Sequence, residues 1–260
     1  MVHNNTFIKI TAVLLLMPFM CKGIYVHYTE LHPAQLSYAS KDVQEKIGES
    51  VRDGNAVKDE RNKSWKFKHH DGKSIFSEKK QLSVVKARCG YVLLDGHHKV
   101  LASIKLGAHL IAIKVIADLS ELDDTQFWLE AEKRGWAHPY TIDGIRTIPP
   151  RRFEDMTDDP YRWLPYLLKG KIPENGNMKE YSGADYPVWL KVGDDIPFIE
   201  FKIGQALFKN GIVYDHEMGD NLPAYLVEDC RKILLKAQIP GLRVVPNRKH
   251  YSQLAMSIKV

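Results

Sequence analysis

Cysteine is scarce here: three thiols among 260 residues, none in a C-x-x-C pair or at metal-binding spacing from a histidine. That excludes a disulfide-framework scaffold and a structural zinc site. No apolar run reaches the roughly 20 residues that a membrane-spanning helix needs. Dense basic runs are missing too. Lys and Arg outnumber Asp and Glu by only 37 to 32, so net charge gives duplex nucleic acid little support as the main partner. Neither G-x-S-x-G nor a paired Cys–His signature occurs, which leaves acyl-transfer hydrolysis unsupported. What remains, 44% hydrophobic and 27% charged with 17 Gly and 13 Pro, is the composition of an ordinary folded chain. Its length suits one large domain, or one domain with an extension.

Residues 1–23 read as a secretory signal. Lys9 and the α-amino group supply positive charge, residues 10–20 (ITAVLLLMPFM) form an eleven-residue apolar core broken by Pro18, and Gly23 is small enough to precede a cleavage site. The rival reading is a buried first strand or helix. A lipid anchor on Cys21 is disfavoured by the bulk of Met20. Cleavage near Gly23 would export the chain to a periplasm or the exterior, and loss of Lys9 and Lys22 would lower the positive excess from five to three. Cys89 and Cys230 would remain, as a disulfide or as two unpaired buried thiols; the sequence leaves both open.

Strand character at 24–31 (IYVHYTEL) ends at the break His32-Pro33. Val43, Ile47 and Val51 then recur every four residues on one helical face after Ser40. Residues 53–73 are charged and aperiodic, and read as a surface insertion or loop. Strands follow at 82–86 (LSVVK) and 91–95 (YVLLD), a helix from His97 to Gly107, and a nearly all-apolar strand at 110–116 expected to be covered on both faces. Ser120 and Asp123 suggest a capping box for a helix carrying Phe127 and Trp128 and stopping at Gly135. Asp159-Pro160 suits a helix start, residues 170–187 look like loop, and 197–209 and 223–237 read as the last helices. The alternation between 24 and 135 predicts an α/β (α+β) mixed-sheet core with a mainly helical second half.

Chemistry concentrates in 91–120. A strand ends at Asp95, Gly96 permits a sharp turn, and His97-His98-Lys99 open a helix. Helix starts expose unpaired N–H groups and a partial positive charge, so such a corner suits an anion such as phosphate. Lys99 would add a point charge, a histidine would donate a hydrogen bond or move a proton, and Asp95 would orient a histidine or hold a metal ion. The plain alternative is a turn whose Asp caps the helix and whose histidines are solvated.

The DGHHK element, set after a strand and followed by helix, strand and Asp118-Leu119-Ser120, resembles the ParB/sulfiredoxin superfamily and, more narrowly, the family of ParB-like nucleases. The resemblance extends to Leu31-His32-Pro33-Ala34-Gln35, Val43 with Lys46, Phe127-Trp128, Gly135-Trp136, Asp158-Asp159-Pro160-Tyr161-Arg162 and Phe198-Ile199-Glu200-Phe201. It covers roughly 24–206, a ParB-like domain, and leaves 207–260 as a helical extension. It implies a compact α/β fold in which Gly96, His98 and Lys99 contact the phosphates of a nucleotide or nucleic acid. Lys99 stands where the superfamily usually has Arg, so a bidentate fork is lost. His97 stands where sulfiredoxins have their reactive Cys, which excludes sulfinic-acid repair. No helix-turn-helix reader accompanies the domain, so a chromosome-partitioning role is not expected.

Other groups are weaker. His69-His70-Asp71 lies in a charged loop and is a poor chelate. Glu200 would face the site as a second carboxylate or be solvated. Trp128, Trp136, Trp163, Phe127 and Tyr161 read as core rather than as a base-stacking platform, and Arg146, Arg151 and Arg152 as solvated surface. The resulting expectation is an exported enzyme acting on a phosphate ester, a nuclease, nucleotidase or phosphotransferase. Asp95, His97 and His98 would be catalytic, Gly96, His98 and Lys99 would hold the phosphate, and Mg²⁺ or a nucleotide would be the cofactor. The alternative is a catalytically silent module binding a nucleotide or an acidic partner, or a secreted effector.

Overall fold

A computed structural model describes residues 24–61, 63–68, 71–170, 187–190 and 196–247. The signal-like segment 1–23, His69, His70 and most of the loop expected at 170–187 lie outside the described residues.

The chain opens with β1 (Ile24–His27), a 3-10 turn over Tyr28–Glu30, β2 (Leu31–Pro33) and the short β3 (Ser37–Tyr38). The single strand expected at 24–31 is thus two strands. His27 caps the turn between them, accepting from the Thr29 amide, and His32-Pro33 belongs to β2 rather than breaking it. Next come α1 (Ser40–Arg52), the hairpin of β4 (Ala56–Asp59) and β5 (Ser64–Phe67), and α2 (Ile75–Lys79). The expected loop at 53–73 is therefore ordered in its middle, because Ala56 pairs with Phe67 and both are buried. Then β6 (Leu82–Ala87), β7 (Gly90–Leu93), α3 (His97–Lys105), β8 (Leu110–Asp118) and α4 (Asp124–Lys133) complete the first half.

Five of these strands form one mixed sheet in the order β1-β8-β6-β7-β2. β6 runs parallel to β8 and antiparallel to β7, and β2 lies parallel to β7 at the edge. Alternation along β6 and β7 puts Val84 and Leu93 on one face with Val100 and Leu101 of α3 and Val43 of α1, and Val85 and Val92 on the other with Phe127 and Trp128 of α4. Two-sided coverage of β8 holds only for its first half. Ile111, Ala112 and Ile113 are buried, whereas Ile116 is exposed. The box that starts α4 lies three residues later than Ser120 suggests: Asp123 accepts from the Gln126 amide and Gln126 accepts from the Asp123 amide. Ser120 is occupied with Asp118, through both its amide and its hydroxyl.

The second half holds β9 (Thr157–Asp158), α5 (Leu164–Leu167), β10 (Lys169–Gly170), β11 (Trp189–Leu190), α6 (Ile199–Lys209), α7 (Ala224–Ala237) and β12 (Arg243–Val244). A continuous apolar cluster joins Trp163, Leu164, Trp189, Ile203, Leu207, Leu226 and Cys230. Residues of α6 and α7 on both sides of position 206/207, Ile203, Leu207, Leu226 and Cys230 among them, share this cluster. Cys230 is buried in that cluster and Cys89 is exposed; both thiols are free, with no disulfide between them. No helix among the described residues is long and apolar enough to cross a membrane.

Candidate functional site

The corner that starts α3 has the expected backbone. Gly96 sits at φ 89°, ψ 22°, a left-handed conformation that glycine adopts at no steric cost. A Cβ there would also lie 3.0 Å from Leu82 Cδ2. Its amide donates to Asp95 Oδ1 at 2.7 Å. The histidines, however, turn inward. His97 is 3% exposed, and its Nε2 accepts the Ala34 amide at 3.0 Å. Burial drives its pKa well below the ordinary value, the charges of His98 and Arg162 add to the effect, and a bond to the Leu93 backbone opposes it.

His98 places Nδ1 2.6 Å from Asp42 Oδ2 and accepts the Ala39 amide on Nε2 at 3.1 Å. Burial pushes the Asp42 carboxyl up, but the bond and charge of His98, with Lys46 and Arg162, bring it to a net value below the usual range. Both rings thus pin the start of α3 to the chain between β2 and α1. The acid–base role expected of His98, assisted by His97, has no free ring nitrogen to work through in this arrangement.

A cleft of about 470 Å³ opens beside this corner, between the end of β7 and the end of α4 on one side and the helical half on the other. Asp95 and Glu200 line it, whereas Gly96, His97, His98 and Lys99 do not. Arg162 forms part of its wall. The guanidinium lies 3.3 Å from the centre of the Phe201 ring. Its Nε and Nη1 are buried with no hydrogen-bond partner, and among the described residues no carboxylate comes within ion-pair distance. Burial lowers its pKa to about 10, with Glu200, Asp159 and Asp42 acting in opposition. Buried donors left unpaired cost about 1–3 kcal/mol, and charged ones more.

The start of α6 faces the same space. Phe198, Ile199 and Glu200 all line the cleft, and the helix has no side-chain cap. The Ile199 amide is taken by the Ile196 carbonyl at 3.3 Å, so the Glu200 and Phe201 amides, with the positive end of the dipole, favour an anion there. Glu200 opposes that field, but Lys169 Nζ holds its carboxylate at 3.0 Å.

The D-D-P-Y-R run explains how Arg162 is placed. Asp158 accepts the Ser40 amide at 2.9 Å at the start of α1, and Asp159 accepts the Tyr161 amide at 2.9 Å. Pro160 then opens a 3-10 turn over Pro160–Arg162, where a missing N–H costs nothing. Gly204 lets α6 press onto this turn, since a Cβ there would stand 2.5 Å from the Tyr161 carbonyl oxygen. Residue type alone pointed to Asp95 and Glu200; Arg162 was visible only as part of a run, because its burial without a partner is a tertiary fact.

The remaining groups are mostly structural. Phe127, Trp128 and Trp163 are core, while Trp136 lines the cleft. Arg146 pairs with Glu132, Arg151 with Asp124 and Arg152 with Glu154 and Asp155, all at the surface. No group of three His, Cys, Asp or Glu side chains among the described residues is placed to hold a metal ion. The cleft therefore offers a buried cation and a helix start to an anion, with two carboxylates in its lining.

A mixed five-stranded sheet joined to a helical half across a cleft makes this an α+β protein. The family model described as "Putative ParB-like nuclease" matches residues 24–191, and the chain belongs to that family. Its fold is similar to the crystal structure of protein Atu1540 from Agrobacterium tumefaciens. The TM-score is 0.55 at 20% identity, over 85% of this chain and 96% of that one. No curated protein matches the chain.

Proposed function

We propose that this protein cleaves a phosphate ester of the nucleotide or nucleic-acid class in the cleft around Arg162. The observation that carries the reading is a guanidinium in the cleft wall with two buried nitrogens and no acceptor. A phosphate supplies the missing acceptors, and a planar guanidinium matches its geometry. Arg162 and the Glu200 and Phe201 amides of α6 would bind the non-bridging oxygens and stabilise the charge that grows on them in the transition state. Asp95, exposed across the cleft, would take the proton of the attacking water as the new P–O bond forms. The departing oxygen would take its proton from solvent as the old bond breaks. Glu200, its charge offset by Lys169 at 3.0 Å, would line the same wall without turning the anion away from the helix start. Were Mg²⁺ to accompany the phosphate, Asp95 and Glu200 are the carboxylates of this lining that would meet it, and the ion would neutralise phosphate charge. His97 and His98 would hold the wall rather than handle protons.

The test is turnover by the purified chain on nucleotides, single-stranded DNA and RNA, with and without Mg²⁺. Product should form, and Arg162→Gln should lower kcat/KM by about 100-fold or more. Full activity in that variant, or no product from any substrate, would remove the assignment. A second reading, a catalytically silent binding module, is favoured by the one observation that both imidazoles are fully bonded. It expects saturable binding without product. Export is part of the proposal, supported by the charged start and apolar run of residues 1–23. N-terminal sequencing of protein recovered from the producing cell should begin near residue 24; an intact Met1 would remove this part.

A further inference from the structure

A second cleft, of about 450 Å³, lies on the far side of the ridge formed by Pro197 and Phe198, and both residues line the two clefts. Its wall carries Lys133, Lys202 and Lys209, which are exposed and, among the described residues, have no carboxylate partner. The one carboxylate in that wall, Glu132, is occupied by Tyr140 and Arg146. The ridge is a strained feature. Phe198 holds φ 57°, ψ 32°, a left-handed conformation that a bulky residue adopts only when its surroundings enforce it. Its ring packs against His138 and Phe201, with centroids 5.4 and 5.7 Å away. Across the first cleft stands Trp136, with the Arg134 guanidinium 4.8 Å from its ring centre.

We infer that the two clefts form one track for an unpaired nucleic-acid strand. One phosphate would sit on Arg162 with its base against Trp136 or Phe198, and the neighbouring phosphates would lie along Lys133, Lys202 and Lys209. The inference rests on the phosphate reading of Arg162 and extends it to a polymer. Three cations beyond the ridge would be idle for a free nucleotide, whereas a continuing backbone uses them. A duplex is disfavoured because its bases are stacked on one another and cannot reach aromatic rings set inside a cleft. Ring platforms beside a cationic groove are the physical pattern by which single strands are held without reading sequence.

The experiment measures binding by fluorescence polarisation with three probes: a labelled single strand of about 12 nucleotides, the corresponding duplex, and a labelled mononucleotide. The single strand should bind at least tenfold more tightly than either. The triple variant Lys133→Ala/Lys202→Ala/Lys209→Ala should reduce the salt slope of strand binding by about 2, from roughly 0.7 per lysine–phosphate contact. Trp136→Ala should weaken the strand about tenfold. Circular dichroism would establish that the variants are folded; the three lysines are exposed, so their loss leaves the core intact. Equal affinity for duplex and single strand, or an unchanged salt slope in the folded triple variant, overturns the track. Arg162→Gln separates the two levels. If it abolishes mononucleotide binding while the triple variant changes nothing, only the track fails. If mononucleotide binding survives it, the phosphate reading itself has failed.

Discussion

Two helix starts invite comparison, α3 at Gly96 and α6 at Phe198. Neither has a side-chain cap, and both begin on a residue in the left-handed region. At α3 that residue is glycine, and the polar side chains following it fold back onto the amides of Ala34 and Ala39. At α6 it is a phenylalanine held against its preference, and the helix opens into a cleft beside an unpartnered arginine. The first start is chemically rich and structurally satisfied; the second is plain in sequence and unsatisfied in space. Residue type alone says what a corner is able to do. Whether its groups are already bonded decides what is left over for a ligand.

The comparison is sharpened first by acid. His138, packed behind Phe198 and 7% exposed, has its pKa lowered to about 4 by burial, with the charges of Arg162 and Lys202 adding to it. A histidine depressed in the folded state contributes stability above its unfolded value of 6.5 and loses it as the pH falls toward 4. From this residue alone, unfolding free energy should drop by about 3 kcal/mol between pH 7 and pH 4, and the buried His97 acts in the same direction. Urea titrations across that range measure it. A flat profile would mean that both rings take up protons in the fold much as they do in the unfolded chain.

Next in size is Gly204→Ala. The added methyl meets a backbone carbonyl oxygen, so α6 must move away from the turn that carries Arg162, at about 2–3 kcal/mol. Chemical denaturation gives the loss, and ligand affinity should fall with it. Unchanged stability would mean that the close approach is not present in solution. His98→Ala works on the other start. Removing the ring leaves the Ala39 amide and the Asp42 carboxylate without their partner, costing about 1–2 kcal/mol, while turnover should stay within a fewfold of the parent. A stable but inactive His98→Ala protein would reverse the comparison and return catalysis to α3.

Much of the framework was legible from local pattern. The four-residue spacing of Val43, Ile47 and Val51 gave α1, and the strands read at 82–86 and 91–95 correspond to β6 and β7, the second ending at Leu93. The hairpin at 56–67 was hidden because only Ala56 and Phe67 of its paired residues are buried, too few to stand out among charges. The cap of α4 slipped because Ser120 found a nearer partner in Asp118. In the site, Asp95 and Glu200 could be nominated from type and place. The fate of the histidines could not, since it depends on amides about sixty positions earlier in the chain. Arg162 depended on the absence of a partner, which no spacing records.

The order of the sheet carries one more consequence. Its edge strand β1 pairs with β8, Ile24 against Ile113, and β2 waits for β7, Leu31 against Tyr91. A chain emerging from its amino end therefore cannot complete this sheet until nearly half of it has appeared, and both early strands spend that interval unzipped. Pairings so distant in sequence slow the search for the native state. Until then the unpaired edges of β1 and β2 are open to pairing with other chains, the hazard that such late-closing sheets carry.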